Sequence, residues 1–249
     1  MYVIIPARFA STRLPGKPLR DICGKPLIQH VYERALATAA ARIVIATDDA
    51  RIGEVASAFG AEVCMTSSEH SSGTERIAEV VQKLSIPQDT TIVNLQGDEP
   101  LMPPTLIRAV ADTLDAHPQA SMATAIHAIT DETMMANPNV VKVVRDRDNF
   151  ALYFSRAPIP WKAGHGERLS KRTQAFRHIG LYAYQAGFVT RYASWPPSPL
   201  ENVERLEQLR VLWNSERIVL YESSGAPAAG VDTLEDLERV RKILQSRER

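Results

Sequence analysis

YVIIP (residues 2–6) runs directly into ARFASTRLPGKPL (residues 7–19), and this junction indicates an α/β fold. A short apolar run bounded by a proline is typical of a buried strand. In an open α/β sheet, the loop that leaves such a strand lies over the ligand crevice. This loop carries Arg8, Arg13 and Lys17, and such cations bind phosphate oxygens through charge-assisted hydrogen bonds. The sequence therefore predicts a polyphosphate site within its first seventeen residues.

Two common phosphate-binding loops do not fit this stretch. Gly16-Lys17 matches part of a P-loop, but Pro18 stands where the metal-binding Ser or Thr belongs, and Ser11 stands where the first glycine belongs. No G-x-G-x-x-G follows the strand either, so the dinucleotide fingerprint is absent. From the residues alone, a solvated basic surface loop stays open as the alternative.

Strand and helix patterns alternate through the first 118 residues. Short apolar runs predict strands at 2–6, 43–46, 63–65 and 91–95, and helical spacing predicts helices over 27–35, 52–59, 77–84 and 103–114. Such alternation is typical of parallel βαβ units with helices on both faces of the sheet. We expect residues 1–118 to form a nucleotide-binding half.

The pattern changes in residues 119–249. Strands are predicted at 121–126, 140–144 and 152–154, a basic arm at 162–177, and one helix over 199–213. We expect a single domain over 1–249, with a mixed, mostly parallel sheet. The second half would form a smaller β-rich region for a second substrate and for dimer contact, the latter through 140–144 and the basic arm.

Composition excludes several classes of function. The 249 residues include 29 basic and 29 acidic side chains, so no global charge draws the chain to nucleic acid or to an anionic membrane. The two cysteines, Cys23 and Cys64, form no C-x-x-C motif and are expected to be reduced thiols. No apolar run approaches the roughly 20 residues that span a bilayer, and no signal-peptide pattern begins the chain. We expect a cytoplasmic protein.

Two aspartates are candidate metal ligands. Asp98 follows the predicted strand at 91–95, where a carboxylate points into the crevice and can bind Mg²⁺ together with phosphates. A simple tight turn is an equally good interpretation of that stretch. Asp232 precedes the last predicted helix. It could cap that helix, but Thr233 and Asp236 can cap it instead.

Other candidate binding residues are ambiguous when they are considered alone. Ser72, Gly73 and Thr74 precede a helix and could cap it or face a ligand. Glu204, Glu207 and Gln208 share one face of the predicted helix over 199–213, and a polar face of this kind is usually only solvated. An isolated histidine such as His178 is more often structural than functional.

Seven further blocks decide between these interpretations: HSSGTER (70–76), NLQGDEP (94–100), ALYFSR (151–156), RHIGLY (177–182), SPLE (198–201), LEQLR (206–210) and GVDT (230–233). Together with the first loop, they resemble the cytidylyltransferases that activate 3-deoxy-manno-octulosonate (Kdo). The blocks span nearly the whole chain in the order of that family. The resemblance is therefore specific, and it does not depend on one motif.

The resemblance implies a fold like that of nucleotide-diphospho-sugar transferases, and transfer of CMP from CTP to Kdo for lipopolysaccharide biosynthesis. It also implies Mg²⁺ as cofactor and a homodimer. The implied nucleotide-binding residues are Ala7, Arg8, Arg13, Lys17, Ser72, Gly73 and Thr74. The implied sugar-acid-binding residues are Gln96, Arg156, His178, Tyr182, Glu207 and Gln208, with Arg156 and His178 as cations. Asp98 and Asp232 would bind the metal, and these two with Arg13 and Lys17 would carry catalysis.

Three alternatives remain at this point. One is a cytidylyltransferase for another 2-keto sugar acid, such as 8-amino-Kdo or sialic acid. A second is a uridylyl- or thymidylyltransferase acting on sugar 1-phosphates, but these usually carry a G-x-G-T loop that is missing after residue 6. The third is a non-catalytic CTP sensor, which the presence of both candidate metal carboxylates disfavours.

Overall fold

The computed structural model describes residues 1–11, 13–161 and 175–247. Its strands are β1 (Tyr2–Ala7), β2 (Asp21–Ile22), β3 (Lys25–Pro26), β4 (Arg42–Thr47), β5 (Glu62–Met65), β6 (Thr91–Asn94), β7 (Met122–Ala128), β8 (Lys142–Arg145), β9 (Ala151–Ser155), β10 (Phe176–Gln185) and β11 (Ile218–Glu222). Its α-helices are α1 (Leu27–Leu36), α2 (Ala50–Ala58), α3 (Gly73–Lys83), α4 (Pro104–Asp115), α5 (Glu132–Ala136), α6 (Ala186–Ala193), α7 (Pro199–Glu204), α8 (Leu209–Trp213) and α9 (Leu234–Arg247). The predicted basic arm falls mostly on residues 162–174, outside the described residues.

One mixed sheet organises the molecule. Seven of its strands follow the order β11-β7-β10-β6-β1-β4-β5, and β8 and β9 extend it beside β10. The pairs β1–β4, β1–β6, β4–β5 and β7–β11 are parallel, whereas β10 runs antiparallel to both β6 and β7. The predicted mixed, mostly parallel sheet is confirmed. A separate antiparallel pair joins β2 to β3.

Parallel pairing brings two loops to one edge of the sheet. Tyr2 lies opposite Ile92 and Ile4 lies opposite Asn94, so β1 and β6 run side by side in the same direction. The loop that follows β1 and the loop that follows β6 therefore leave the sheet at the same edge. This is the edge where ligands bind in open α/β sheets.

The sheet has a hydrophobic core on each face. Because side chains alternate along a strand, Val3 and Ile5 enter one core and Ile4 enters the other. The first core also contains Leu237 of α9, and the second contains Leu220 of β11. Each core therefore draws residues from both halves of the chain, which explains why the two halves fold together. Among the described residues, no helix is both long enough and apolar enough to cross a bilayer.

The single helix predicted over 199–213 is wrong. The chain forms α7 and α8 instead, and Arg205 between them adopts a left-handed conformation with φ 54° and ψ 51°. Val203 is 83% exposed, whereas Leu206 and Leu209 pack into the core. The buried Arg210 guanidinium donates to the Glu201 carboxylate at 2.6 and 2.7 Å across the break. This tertiary contact and the packing of Leu206 outweigh helical periodicity.

Candidate active site

A cleft of about 280 Å³ opens between the loop after β1, the loop after β6 and the N-terminus of α3. We call it the charged cleft. Nine of the predicted site residues line it: Ala7, Arg8, Arg13, Lys17, Ser72, Gly73, Gln96, Asp98 and Asp232. The structure thus brings residues from four separate blocks of sequence into one cavity.

Lys17 lies at the centre of the charge distribution in this cleft. Its Nζ donates to Asp98 Oδ2 at 2.7 Å and to Asp232 Oδ1 at 3.1 Å. Arg13 reaches the second oxygen of Asp232 at 3.0 Å. Burial lowers the pKa of Lys17, but the neighbouring charges of Asp98 and Asp232 outweigh it, and the pKa is raised overall. Lys17 is therefore a firmly charged ammonium held by both predicted metal ligands.

The position of Asp232 depends on a cap that the aspartate itself does not provide. Asp236 N–H donates to Thr233 Oγ1 at 3.2 Å, and Thr233 N–H donates to Asp236 Oδ2 at 3.1 Å. The prediction that Thr233 and Asp236 cap the last helix is confirmed. The Val231 N–H donates to the carbonyl of Asp98 at 2.8 Å, so the two aspartates are tied together through the backbone.

The donor set of the cleft fits Mg²⁺. Carboxylate oxygens of Asp98 and Asp232 converge on one point, the Lys17 ammonium. Over the residues that the structure describes, no group of three or more His, Cys, Asp or Glu side chains is arranged to hold a metal ion. Mg²⁺ characteristically takes one or two carboxylates and completes its shell with water and substrate phosphates. The pair therefore suits an ion that arrives with a nucleotide.

Gly97 lets the loop after β6 approach the first strand. A Cβ at this position would stand 2.7 Å from the carbonyl oxygen of Pro6, closer than such atoms approach. Gly230 has a similar constraint, because its Cβ would lie 2.9 Å from Glu99 Oε1 and 3.0 Å from the Asp98 carbonyl. Both glycines are needed to bring Asp98 and Asp232 together.

Ser72 and Thr74 take different positions at the start of α3. Ser72 Oγ accepts the Glu75 N–H at 3.2 Å and so caps the helix, and the residue also lines the cleft. The capping and ligand-facing interpretations are thus compatible for Ser72. Thr74 is buried and donates from its hydroxyl to Glu207 Oε2 at 3.3 Å. It lies behind the cleft and contacts the residues predicted for the sugar acid.

Four predicted sugar-acid residues form a second contiguous group, which we call the buried cluster: His178, Tyr182, Glu207 and Gln208. The Tyr182 hydroxyl donates to Gln208 Oε1 at 3.4 Å, and the rings of His178 and Tyr182 lie 5.4 Å apart. Gln96 approaches this group by donating to Asn94 Oδ1 at 3.4 Å, because Asn94 lies opposite Tyr182 on β6 and β10. The buried cluster therefore adjoins the charged cleft.

Glu207 is the residue of this cluster that titrates near neutrality. Burial raises its pKa to about 7, although the Thr74 hydroxyl and the Arg210 charge act in the opposite direction. Arg210 is itself neutralised by the pair with Glu201. Near neutral pH, Glu207 therefore exchanges between a charged hydrogen-bond acceptor and a neutral acid that can donate.

His178 does not supply the expected cation. Burial against Phe154 and Tyr182 lowers its pKa to about 3. Its Nε2 lies 2.9 Å from the hydroxyl of Thr124, which also lies 2.8 Å from the carbonyl of Leu181. His178 is therefore a neutral imidazole, and it can bind a sugar only through hydrogen bonding and packing.

Arg156 is engaged by backbone groups. Its Nε donates to the carbonyl of Glu204 at 2.9 Å and one terminal nitrogen donates to the carbonyl of Pro138 at 3.1 Å. The Glu204 carboxylate in turn accepts the Arg156 N–H at 2.9 Å. These contacts attach Arg156 to the end of α7, and its predicted role toward the sugar acid stays a prediction.

Two residues not predicted from the sequence lie at or beside the site. Arg76 lines the charged cleft, is buried, and donates to Asp48 Oδ2 at 3.0 Å. Its only sequence signal was its place in the block 70–76. Glu99 lies against Gly230, and burial together with the charges of Asp98 and Asp232 raises its pKa to about 8.

Comparison with known proteins agrees with this geometry. The model of a family described as cytidylyltransferase matches residues 2–218. The chain belongs to this family. It is therefore a nucleotidyltransferase. Curated relatives named 3-deoxy-manno-octulosonate cytidylyltransferase are 56% identical in Histophilus somni (strain 129Pt), over 97% of each chain, and 57% identical in Idiomarina loihiensis, also over 97% of each.

Solved structures are also similar to this chain. A structure of CMP:2-keto-3-deoxy-manno-octonic acid synthetase complexed with CTP matches this cytidylyltransferase with a TM-score of 0.90, 42% identity and 98% coverage of both chains. A cytidylyltransferase from Leptospira borgpetersenii matches with a TM-score of 0.64 and 17% identity, covering 98% of this chain and 86% of that one. The second likeness shows the fold alone, and it confirms the predicted fold class.

Proposed function

We propose that this cytidylyltransferase transfers CMP from CTP to the anomeric hydroxyl of Kdo, giving CMP-Kdo and pyrophosphate. The observation that carries the proposal is the meeting of Lys17 and Arg13 with Asp98 and Asp232 in one cleft. Relatives at 55–57% identity bear the corresponding name. The expected role in lipopolysaccharide biosynthesis and the cytoplasmic location belong to the same proposal.

The charged cleft would hold CTP. Arg8 is exposed at the cleft, while Arg13 and Lys17 carry N–H groups that can turn from carboxylates to phosphate oxygens. Ser72, Gly73 and Ala7 line the same cavity and leave room for a base and ribose. Binding of the triphosphate is then driven by charge, which positions the α-phosphorus near the two aspartates.

Asp98 and Asp232 would hold Mg²⁺, and their converging oxygens fit an ion that shares its shell with phosphate oxygens. When bound, this ion supplies positive charge against the triphosphate. Arg13 and Lys17 provide further positive charge beside the same phosphates. Positioning and electrostatic stabilisation account for most of the acceleration in phosphoryl-type transfer.

The buried cluster would hold Kdo. Glu207, Gln208 and Tyr182 offer hydroxyl-binding groups, and neutral His178 adds a ring face and a polar edge. Held here, the anomeric hydroxyl oxygen attacks the α-phosphorus of CTP. The new bond is between that oxygen and phosphorus, the bond from the α-phosphorus to the bridging oxygen breaks, pyrophosphate leaves, and the hydroxyl proton passes to water.

The direct test is pyrophosphate release with CTP and Mg²⁺ in four parallel reactions: Kdo, sialic acid, a sugar 1-phosphate, and no acceptor. Release that depends on Kdo is the expected result. Release with sialic acid or with 8-amino-Kdo in a fifth reaction, and none with Kdo, would reassign the acceptor. CTP binding with no release under any condition would identify a sensor.

A homodimer is also part of the proposal. Large apolar side chains are exposed at Leu152 on β9, Trp161 and Val203 on α7, and β9 lies at the end of the sheet beside β8. Within the stretch 140–144, Val143 packs into the second core and Lys142 Nζ donates to three carbonyls of its own chain. We therefore place the contact on the exposed side of β9.

Leu152→Glu should yield a monomer by light scattering, and an unchanged mass would contradict this placement.

A further inference from the structure

A small cavity lies behind the buried cluster. Its lining residues with polar groups are Thr74, Tyr184, Tyr192, Glu207 and Gln208, and its volume is about 10 Å³. This is close to the smallest probe-occupied volume that accommodates one water molecule, and a buried water also needs two to four polar partners. The cavity offers that number of partners in a space of that size.

Two buried polar atoms at this cavity have no hydrogen-bond partner among the described residues. They are the Tyr184 hydroxyl and the Gln208 amide nitrogen, and both side chains are almost completely inaccessible to solvent. Native proteins pair nearly all such atoms with protein groups or ordered water. Both residues line the same cavity, so a single small ligand there could pair with both.

Tyr184 is well placed to act on Glu207. It lies on β10 and is 0% exposed. The side chains of Thr74 and Asn94 lie near its hydroxyl without forming a hydrogen bond of normal geometry, and burial keeps the hydroxyl protonated. Thr74 also donates to Glu207 Oε2, so the tyrosine, the threonine and the glutamate surround the cavity from β10, α3 and the link between α7 and α8.

We propose that Tyr184 is a positioning residue for the acceptor site. Its hydroxyl and the Gln208 amide hold one water molecule in the cavity, and this water fixes the Glu207 carboxyl in the orientation that receives the substrate. The inference rests on the proposed function in one respect, namely that Glu207 and Gln208 bind the sugar acid. The water site itself does not depend on which acceptor is used.

The structural test is a high-resolution crystal structure of the protein and of Tyr184→Phe, which retains the ring and removes the hydroxyl. We expect an ordered water within hydrogen-bond distance of Tyr184, Gln208 and Glu207, and its loss or displacement in the variant. An empty cavity in the unmodified protein would overturn the proposal, as would an unchanged water in Tyr184→Phe.

The kinetic test separates positioning from general stability. Tyr184→Phe should raise KM for Kdo about fivefold, the effect of losing one hydrogen bond, while kcat and KM for CTP change by less than about twofold. Tyr192→Phe is the matched control, because Tyr192 lines the same cavity but its hydroxyl already donates to the Glu207 backbone carbonyl at 3.1 Å and not to the carboxyl.

An unchanged KM for Kdo in Tyr184→Phe would contradict the positioning role, and so would an equal rise in Tyr192→Phe. If the unmodified protein shows no turnover with Kdo, the proposed function fails, and the crystallographic result still decides the water site. If Tyr184→Phe does not fold, the cavity in the unmodified protein decides it.

Discussion

The charged cleft holds its groups as ion pairs open to solvent, whereas the buried cluster holds hydrogen-bonding groups that are buried or half-buried. In the cleft, Lys17 and Arg13 contact Asp98 and Asp232 directly. In the cluster, burial leaves His178 neutral and brings Glu207 close to neutrality. The difference suits a triphosphate on one side, recognised by charge, and a sugar on the other, recognised by the positions of its hydroxyls.

The largest effect should come from breaking the carboxylate pair. Asp98→Asn should lower turnover at saturating substrates by at least about a thousandfold, because charge stabilisation at the reacting phosphate is the main catalytic term. Asp112→Asn, an exposed change on α4, is the control and should leave turnover unchanged. Turnover close to normal in Asp98→Asn would remove this residue from the metal site.

The next effect concerns Lys17, which occupies the point where the two carboxylates converge. Lys17→Gln should raise KM for CTP about tenfold, since one charge-assisted contact to phosphate is lost. The same change should strengthen binding of Mg²⁺ alone, because the ammonium no longer competes for Asp98 and Asp232. The rise in melting temperature on adding Mg²⁺ without nucleotide measures this binding, and Lys25→Gln is the control. An equal rise in both variants would contradict competition between the Lys17 ammonium and Mg²⁺.

The buried cluster should respond to pH through Glu207. Its pKa is about 7 in the folded protein, against an ordinary value of 4.5. Between these values the unfolded chain loses the proton while the folded chain keeps it, so stability falls as pH rises from about 4.5 to 7. Glu207→Gln removes this penalty.

The free energy of unfolding of Glu207→Gln, relative to the unmodified protein, should therefore increase by on the order of 2 kcal/mol between about pH 5 and pH 8. Denaturant titrations at several pH values measure it. Glu54→Gln, an exposed change on α2, should show no such trend. A constant difference between Glu207→Gln and the unmodified protein would mean that Glu207 is solvated.

The smallest expected effect is that of ionic strength, which should differ between the charged cleft and the buried cluster. Raising potassium chloride from about 0.05 M to about 0.5 M should raise KM for CTP about fivefold, because exposed charges are screened. KM for Kdo should change by less than about twofold, because neutral hydrogen bonds do not depend on ionic strength in this way. An equal rise in both constants would remove the contrast between the regions.

The charged cleft could be predicted from the sequence more completely than the buried cluster. Residues of the cleft directly follow strands or precede helices, so Arg13, Lys17 and Asp98 could be placed from local sequence. The environment of the buried cluster depends on distant segments. Helical periodicity predicts one continuous helix over 199–213 and misses the break at Arg205. The break depends on the packing of Leu206 and on the Arg210–Glu201 ion pair, which are tertiary contacts. His178 is neutral because Phe154 and Tyr182 pack against it. Tyr182 belongs to the same block, but nothing in that block indicates the contact with Phe154.

We infer that the charged cleft transfers CMP to a Kdo molecule held beside it. Phosphorus NMR of a reaction with CTP, Kdo and Mg²⁺ tests this most directly. We expect a new phosphodiester signal and an equal amount of pyrophosphate, with neither in Asp98→Asn. Pyrophosphate without the phosphodiester, or both signals persisting in Asp98→Asn, would contradict it.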